Sequence, residues 1–292
     1  MKYPKLKIDE DVNMAKHTSF KAGGNAAVMI TAENKEELKA ILNTLASAGL
    51  PHMMLGNGSN TLFRDSGYDG VVVKLGEGFA KVSFDGNKAT CGCAILMSVL
   101  SKEFLAKSLS GFEFAAGIPG SLGGAVFMNA GAYGGQMKDI IKEVRALSPD
   151  GKKEKVFSAE EMEFGYRHSV LEENGYIAVE TIIELAKGDK EQIQERMREL
   201  AFQRSSKQPL QYPSAGSTFK RPEGYFAGKL IEDAGLKGLS VGGAQVSTLH
   251  SGFVINKDGA TATDILDLMS LVQNTVYDKF GVMLEPEVRI IG

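Results

Sequence analysis

Ala116-Gly-Ile-Pro-Gly-Ser-Leu-Gly-Gly-Ala-Val-Phe-Met-Asn-Ala-Gly-Ala-Tyr-Gly-Gly135 is the stretch on which the fold reading turns. Glycines at 117, 120, 123, 124, 131, 134 and 135 leave peptide N–H groups unshielded by side chains. Such a backbone can wrap a pyrophosphate, because unpaired amides favour an anion. The spacing fits neither familiar nucleotide fingerprint. Residues 117–124 read G-x-x-G-x-x-G-G where a Rossmann turn needs G-x-G-x-x-G. Gly228-Lys229 is followed by Leu230 and has Glu223 in place of the first P-loop glycine. A bound nucleotide therefore implies a different fold. A second glycine loop, Gly56-Asn-Gly-Ser-Asn60, follows a predicted strand at 52–55 and offers another anion nest. Tight turns without a ligand are the competing reading of both loops.

Outward from the glycine stretch, strands and helices mix without regular alternation. A strand at 26–33 leads into a helix capped by Asn34 and Glu37, with Leu38, Ile41, Leu42 and Leu45 on one face and Gly49 as its stop. Strands at 70–75, 81–84 and 88–93 follow, the last two joined at Asp85-Gly86. A helix is predicted over 95–107, a hairpin at 144–147 and 154–157, and a strand at 176–185. A charged helix spans about 190–206. Beyond it lie a helix at 225–234, a strand at 252–256, a helix at 264–280 with Thr263 as its cap, and a strand at 287–291. This pattern predicts an α+β protein of two domains, 1–188 and 189–292, in keeping with a length of 292 residues.

Composition narrows the function classes. Glycine is abundant, 34 residues against an average share of about 7%, while only 8 prolines accompany it, so the glycines belong to folded turns and ligand loops. A net charge of −3 gives no bulk attraction to nucleic acid or an anionic membrane. No apolar run approaches the ~20 residues of a membrane span, and Met1 to Glu10 resembles no secretion signal. The expectation is a protein that stays in the cytoplasm. Cys91 and Cys93 are expected on opposite faces of a strand, as free buried thiols in a reducing compartment. The histidines at 17, 52, 168 and 250 show no metal-ligand spacing and no Ser-His-Asp order, which argues against a metal site and a hydrolytic triad.

Five motifs in order carry a resemblance: Leu-Gly-Asn-Gly-Ser-Asn at 55–60, the 116–134 stretch, Tyr-Arg-His-Ser at 166–169, Ala-Gly-Ser-Thr-Phe-Lys-Arg-Pro at 215–222, and Glu-Pro-Glu-Val-Arg-Ile-Ile-Gly at 285–292. From Thr18 onward the chain resembles the UDP-N-acetylenolpyruvoylglucosamine reductase family, in its shorter subclass. The resemblance implies an FAD-binding domain of the vanillyl-alcohol oxidase-like type, made of two α+β subdomains, with a smaller C-terminal α+β domain for substrate. It implies NADPH-dependent reduction of UDP-N-acetylglucosamine enolpyruvate to UDP-N-acetylmuramate through bound FAD, a step of peptidoglycan precursor synthesis, by a monomer. The cofactor positions it implies are Gly56, Asn57, Gly58, Ser59, Asn60, Gly117, Ile118, Pro119, Gly120, Ser121, Gly124, Asn129, Ala130 and Gly131.

For catalysis the resemblance implies Arg167 on the substrate carboxylate, Ser217 as proton donor to carbon, and Glu287 as third catalytic residue. An enolate formed from a carboxylate carries nearly two negative charges, so fixed donors such as a guanidinium fork suit it. A carboxylate beside it would repel it, which predicts an uncharged Glu287 or a relay through water. Lys207, Lys220, Arg221 and His250 resemble substrate-contacting positions. Arg221 departs from the asparagine of the longer subclass, and that subclass's tyrosine loop has no counterpart here. Another flavin oxidase or dehydrogenase, and a flavin-free nucleotide-sugar-binding regulator, are the alternatives; retention of FAD and dependence on the enolpyruvyl sugar separate them.

Overall fold

The computed structural model describes residues 6–292. The first five residues, part of the stretch read as lacking a secretion signal, lie outside it. By contact the chain forms two compact units. Of the described residues, the first comprises 6–9, Met29–Asn57 and Gly70–Gln203, and the second Glu10–Val28, Gly58–Asp69 and Arg204–Gly292. The expected division at 188/189 is a single cut. The compact units instead interleave, because two early segments share their contacts with the C-terminal part.

The centre of the first unit is an antiparallel sheet of five strands. Their order is Glu154–Ser158, Ile141–Leu147, Ile177–Glu184, Lys88–Gly92 and Val82–Asp85. The hairpins expected at Asp85-Gly86 and Pro149-Asp-Gly151 are present, with Gly86 and Gly151 both at positive φ. The helix Met97–Ala106 and the short helix Leu122–Phe127 share one apolar cluster with this sheet, including Cys91, Leu100, Phe104, Leu122, Val126 and Val144. The helix Lys35–Ser47 has its expected cap, Asn34 Oδ1 accepting from Glu37 N at 3.0 Å.

The two cysteines correct the expectation of opposite faces. Residues two apart in a strand share a face, and Ala89, Cys91 and Cys93 are all buried while Thr90 and Gly92 are only partly so. Both thiols are free. Burial pushes each up to about 12, so neither is a nucleophile at neutral pH.

The second unit packs the helix Ala262–Phe280 and the helix Ala227–Asp233 around a three-stranded antiparallel sheet, Ser240–Val241, Ala244–Val246 and Val254–Asn256. Ile265, Leu268, Val272 and Val276 are fully buried on one helical face, each contributing about 1.5–3 kcal/mol of burial. Its cap is Thr261 rather than Thr263: Thr261 accepts from Asp264 N and Asp264 bonds back, a capping box that starts the helix earlier. Thr263 is engaged elsewhere, its hydroxyl donating to Asp65 at 2.7 Å. Phe20 and Leu62, from the two early segments, belong to the same core. Strand Arg289–Ile291 pairs in parallel with Thr61–Phe63, which ties the end of the described chain to one of the early segments of the same unit.

Candidate active site

The glycines of the 116–135 stretch fall into two kinds. A Cβ on Gly123 would lie 3.1 Å from Cys93 Cβ, one on Gly131 2.8 Å from Gly135 O, and one on Gly135 2.6 Å from the Phe114 ring. These glycines allow close packing. A Cβ on Gly134 would meet nothing within 4 Å, and on Gly124 only the Ser121 hydroxyl at 3.8 Å. Here the missing side chain leaves room beside the backbone. Gly120, at φ +126°, gives its carbonyl to Met97 N at 3.0 Å. The same register sets Leu122 N on Ile95 O at 2.9 Å and Gly123 N on Cys93 O at 2.8 Å. Gly120 and Ser121 thus lie along the entry to Met97–Ala106, and before them Ile118 N turns back onto Ala115 O at 3.0 Å, with Gly117 and Pro119 on either side of it. Ser121 is buried, yet its hydroxyl caps nothing. Gly56 approaches that hydroxyl so closely that a Cβ would sit 2.7 Å from it.

Asn129, Ala130 and Gly131 close this stretch next to the Gly165–His168 turn. Asn129 Nδ2 donates to Gly165 O at 2.8 Å, and an Arg167 guanidinium nitrogen lies 3.4 Å from Gly131 O. Arg167 has φ +55° and stacks its guanidinium 5.1 Å from the Tyr166 ring. Ser169, fully buried, donates to Phe127 O at 2.6 Å and anchors the turn from its other side.

In the second unit, Gly58 sits with φ +65° where a Cβ would lie 2.1 Å from His17 O. Its carbonyl accepts from Ser19 N at 3.1 Å. Between them Thr18 Oγ1 is buried without a hydrogen-bond partner. A buried, unsatisfied hydroxyl costs free energy unless something completes it. No glycine or motif spacing marked Thr18 in the sequence. Asn60 Nδ2 donates to Glu287 O at 3.0 Å, and Asn60 O accepts from Arg289 N at 3.0 Å.

Residues 217 and 287 are brought together by backbone pairing. Phe219 and Pro286 form an antiparallel bridge, flanked by Glu287 N to Thr218 O at 2.9 Å and Lys220 N to Glu285 O at 2.8 Å. Thr218 is fully buried and donates its own N–H to Gly252 O at 2.9 Å. Gly216, at φ +79° in open space, turns the chain so that Ser217 is exposed while Thr218 is buried. Glu287 is half-buried.

The expected substrate contacts divide. Lys220 forms an ion pair with Glu285, and Lys207 is exposed at the end of the helix Lys190–Lys207. Arg221 stacks 3.9 Å from the exposed Phe226 ring and donates from Nε to Tyr225 O at 3.2 Å. His250 accepts at Nδ1 from Gly252 N at 3.0 Å and packs against Gly228, where a Cβ would lie 3.3 Å from the imidazole. Burial holds its pKa below the ordinary value, so it is neutral at pH 7. Its place is under the Gly252 carbonyl that positions Thr218.

Within each unit the donors present fit an anionic dinucleotide: room beside Gly124 and Gly134 with an uncapping Ser121 in one, an unsatisfied Thr18 hydroxyl against Gly58 in the other. Among the described residues no group of acidic, histidine or cysteine side chains could hold a metal ion. None of their helices is long and apolar enough to cross a membrane.

Comparison with known proteins agrees with this chemistry. An FAD-binding domain profile matches residues 26–156, and the profile of the UDP-N-acetylenolpyruvoylglucosamine reductase C-terminal domain matches 208–291. The reductase of that name from Alkaliphilus oremlandii is 53% identical over 97% of this chain and 92% of its own. The chain belongs to the UDP-N-acetylenolpyruvoylglucosamine reductase family. The Clostridioides difficile family member is 50% identical over 98% of this chain and 93% of its own. The crystal structure of the family member from Thermus caldophilus is 36% identical, superposes with a TM-score of 0.85, and covers 98% of this chain and 100% of its own. The α+β fold is thus the family's fold.

Proposed function

We propose that the chain reduces UDP-N-acetylglucosamine enolpyruvate to UDP-N-acetylmuramate with NADPH and FAD, as a cytoplasmic monomer in peptidoglycan precursor synthesis. The observation that carries this reading is the backbone bridge that sets 217–219 beside 285–287, segments 65 positions apart at Lys220 and Glu285, within a family match over nearly the whole chain. Residues 1–188 carry the cofactor loops together with Arg167, and 189–292 carry the remaining substrate residues. Bound FAD supplies two-electron transfer between NADPH and the vinyl ether.

The protein's own part is positioning and charge. Arg167 presents a planar fork to the substrate carboxylate and stabilises charge that grows there during reduction. Ser217, exposed after a glycine turn, holds a proton for C2. A hydroxyl is a weak acid, but a carbanion-like carbon is a strong enough base to take its proton when the two are aligned. Glu287 acts uncharged or through water. Lys207, Lys220 and Arg221 offer cations to the diphosphate; Lys220 exchanges Glu285 for it. The amides of 56–60 and of Gly117, Gly120 and Ser121, with the hydroxyls of Ser121 and Thr18, hold the FAD.

Purified protein should be yellow, and beyond a single equivalent that reduces the bound flavin it should oxidise NADPH continuously only when UDP-N-acetylglucosamine enolpyruvate is present. A colourless protein that takes up no FAD would sink the reading. A flavoprotein that passes electrons from NADPH to oxygen equally well without the sugar would point to an oxidase instead.

A further inference from the structure

We infer that Asn129 is a positioning residue that acts through Arg167 rather than a cofactor contact, and that the Asn60 side chain likewise positions Glu287. The inference rests on the functional reading above and assigns a task within it. A carboxamide has two N–H donors and one acceptor oxygen. At Asn129 all are engaged inside the protein: Nδ2 donates to Gly165 O at 2.8 Å and to Gln136 Oε1 at 3.0 Å, and Oδ1 accepts from Lys138 N at 2.9 Å. The residue is 1% exposed, which leaves no face for a ligand. Its φ of +44° is one that asparagine tolerates better than most side chains.

What Asn129 holds explains why it is there. The Gly165–His168 turn closes with Gly165 N on His168 O at 3.1 Å and puts Arg167 at φ +55°. A non-glycine residue in that region is strained and persists only where its surroundings over-determine it. Asn129 fixes the Gly165 carbonyl at one end of the turn, and Gly131 O receives the Arg167 guanidinium at the other. The loop that faces the cofactor and the turn that carries the guanidinium are one clamped object. Asn60 does the same for the carboxyl side. Its Nδ2 takes Glu287 O at 3.0 Å and its carbonyl takes Arg289 N at 3.0 Å, so the chain on both sides of Val288 is pinned to the short glycine loop.

Asn129→Asp tests this, because it keeps the acceptor for Lys138 N and replaces the donor toward Gly165 O and Gln136 Oε1 by an oxygen that repels both. With FAD bound, reduction by NADPH should stay near the wild-type rate, while reoxidation by the enolpyruvyl sugar slows on the order of 100-fold, the usual consequence of an ångström-scale misplacement. Two readouts do not depend on turnover. Amide exchange at 165–168 should quicken about tenfold or more with the rest of the chain unchanged, and FAD affinity of the deflavinated protein should stay within about threefold. In an Arg167→Ala background Asn129→Asp should add almost nothing, since both act through one side chain. Asn60→Asp should reproduce the half-reaction split. Loss of FAD affinity, equal slowing of both half-reactions, or full additivity with Arg167→Ala would overturn the inference, as would failure of both Asn129→Asp and Asn129→Gly to fold. A wild-type protein without enolpyruvate-dependent turnover would instead overturn the underlying function.

Discussion

The 116–135 loop and the 215–220/284–289 pair place reactive groups by opposite means. The first works by subtraction. Glycines remove side chains so that backbone packs where a Cβ would come within 3 Å of its neighbour, as at Gly131, or leave room, as at Gly134. The second works by addition. Hydrogen bonds from Thr218, Lys220 and Glu287, with Asn60 and Gly252 as neighbours, build a ladder that fixes an exposed Ser217. Subtraction suits a loop that must lie against a large anionic ligand, because no atom stands between amide and phosphate. Addition suits a proton donor, whose value depends on distance and angle.

The sharpest way to break that comparison is Ser217→Ala. Reoxidation by the sugar should fall about a thousandfold with reduction by NADPH nearly unchanged, as measured by stopped-flow flavin absorbance; equal losses would refute the proton-donor role. Arg167→Lys should slow the same half-reaction about a hundredfold, because an ammonium cannot reproduce the fork; near-normal turnover would rule out bidentate carboxylate binding. The two kinds of glycine give the next contrast. Gly131→Ala should destabilise the protein by about 1–3 kcal/mol, since backbone has to move. Gly124→Ala should stabilise the FAD-free protein by about 0.5–1 kcal/mol as a helical residue while weakening FAD binding, a split that denaturant titration and flavin fluorescence would read. If both alanines behave alike, the division into packing and ligand-facing glycines is wrong.

The smallest effect tests the polar ties of the second unit. Burial pushes the Asp65 carboxyl up, but hydrogen bonds from the Thr263 hydroxyl and the N–H groups of Thr263 and Ala262 outweigh it and hold the group below its ordinary value. Its contribution is therefore present above about pH 4 and lost as pH falls through the lower folded value. Asp65→Asn should cost about 0.3–1 kcal/mol at neutral pH and low salt and flatten the acid limb of a Tm-versus-pH curve. An unchanged acid limb would show that Asp65 does not titrate with folding.

These contrasts also separate what was legible in the sequence from what was not. Elements with a cap and a periodic face were readable: Lys35–Ser47 follows from Asn34, Glu37 and the 38-41-42-45 stripe. The glycine loops were readable because glycine has few other uses in such density. Thr263 was mistaken for a cap because both it and Thr261 satisfy the residue preference, and only the Asp264 partner and the distant Asp65 decide between them. The bridge of Phe219 to Pro286 has no local signal, since nothing in 215–220 specifies a partner segment that lies 65 positions on at Lys220 and Glu285. For the same reason Asn129 and Asn60 read as ligand contacts: their carbonyl partners, Gly165 and Glu287, lie 36 and 227 positions away.

That last separation has a consequence for how the protein is born. Asn60 and Thr61–Phe63 leave the ribosome early, but the strand that pairs with them, Arg289–Ile291, follows after more than two hundred further residues. Closing so long a loop is slow and late, so the nascent chain exposes Leu62 and Phe63, both fully buried in the finished fold, for most of its synthesis. Until its partner arrives, that strand is an unpaired apolar edge of the kind that favours aggregation.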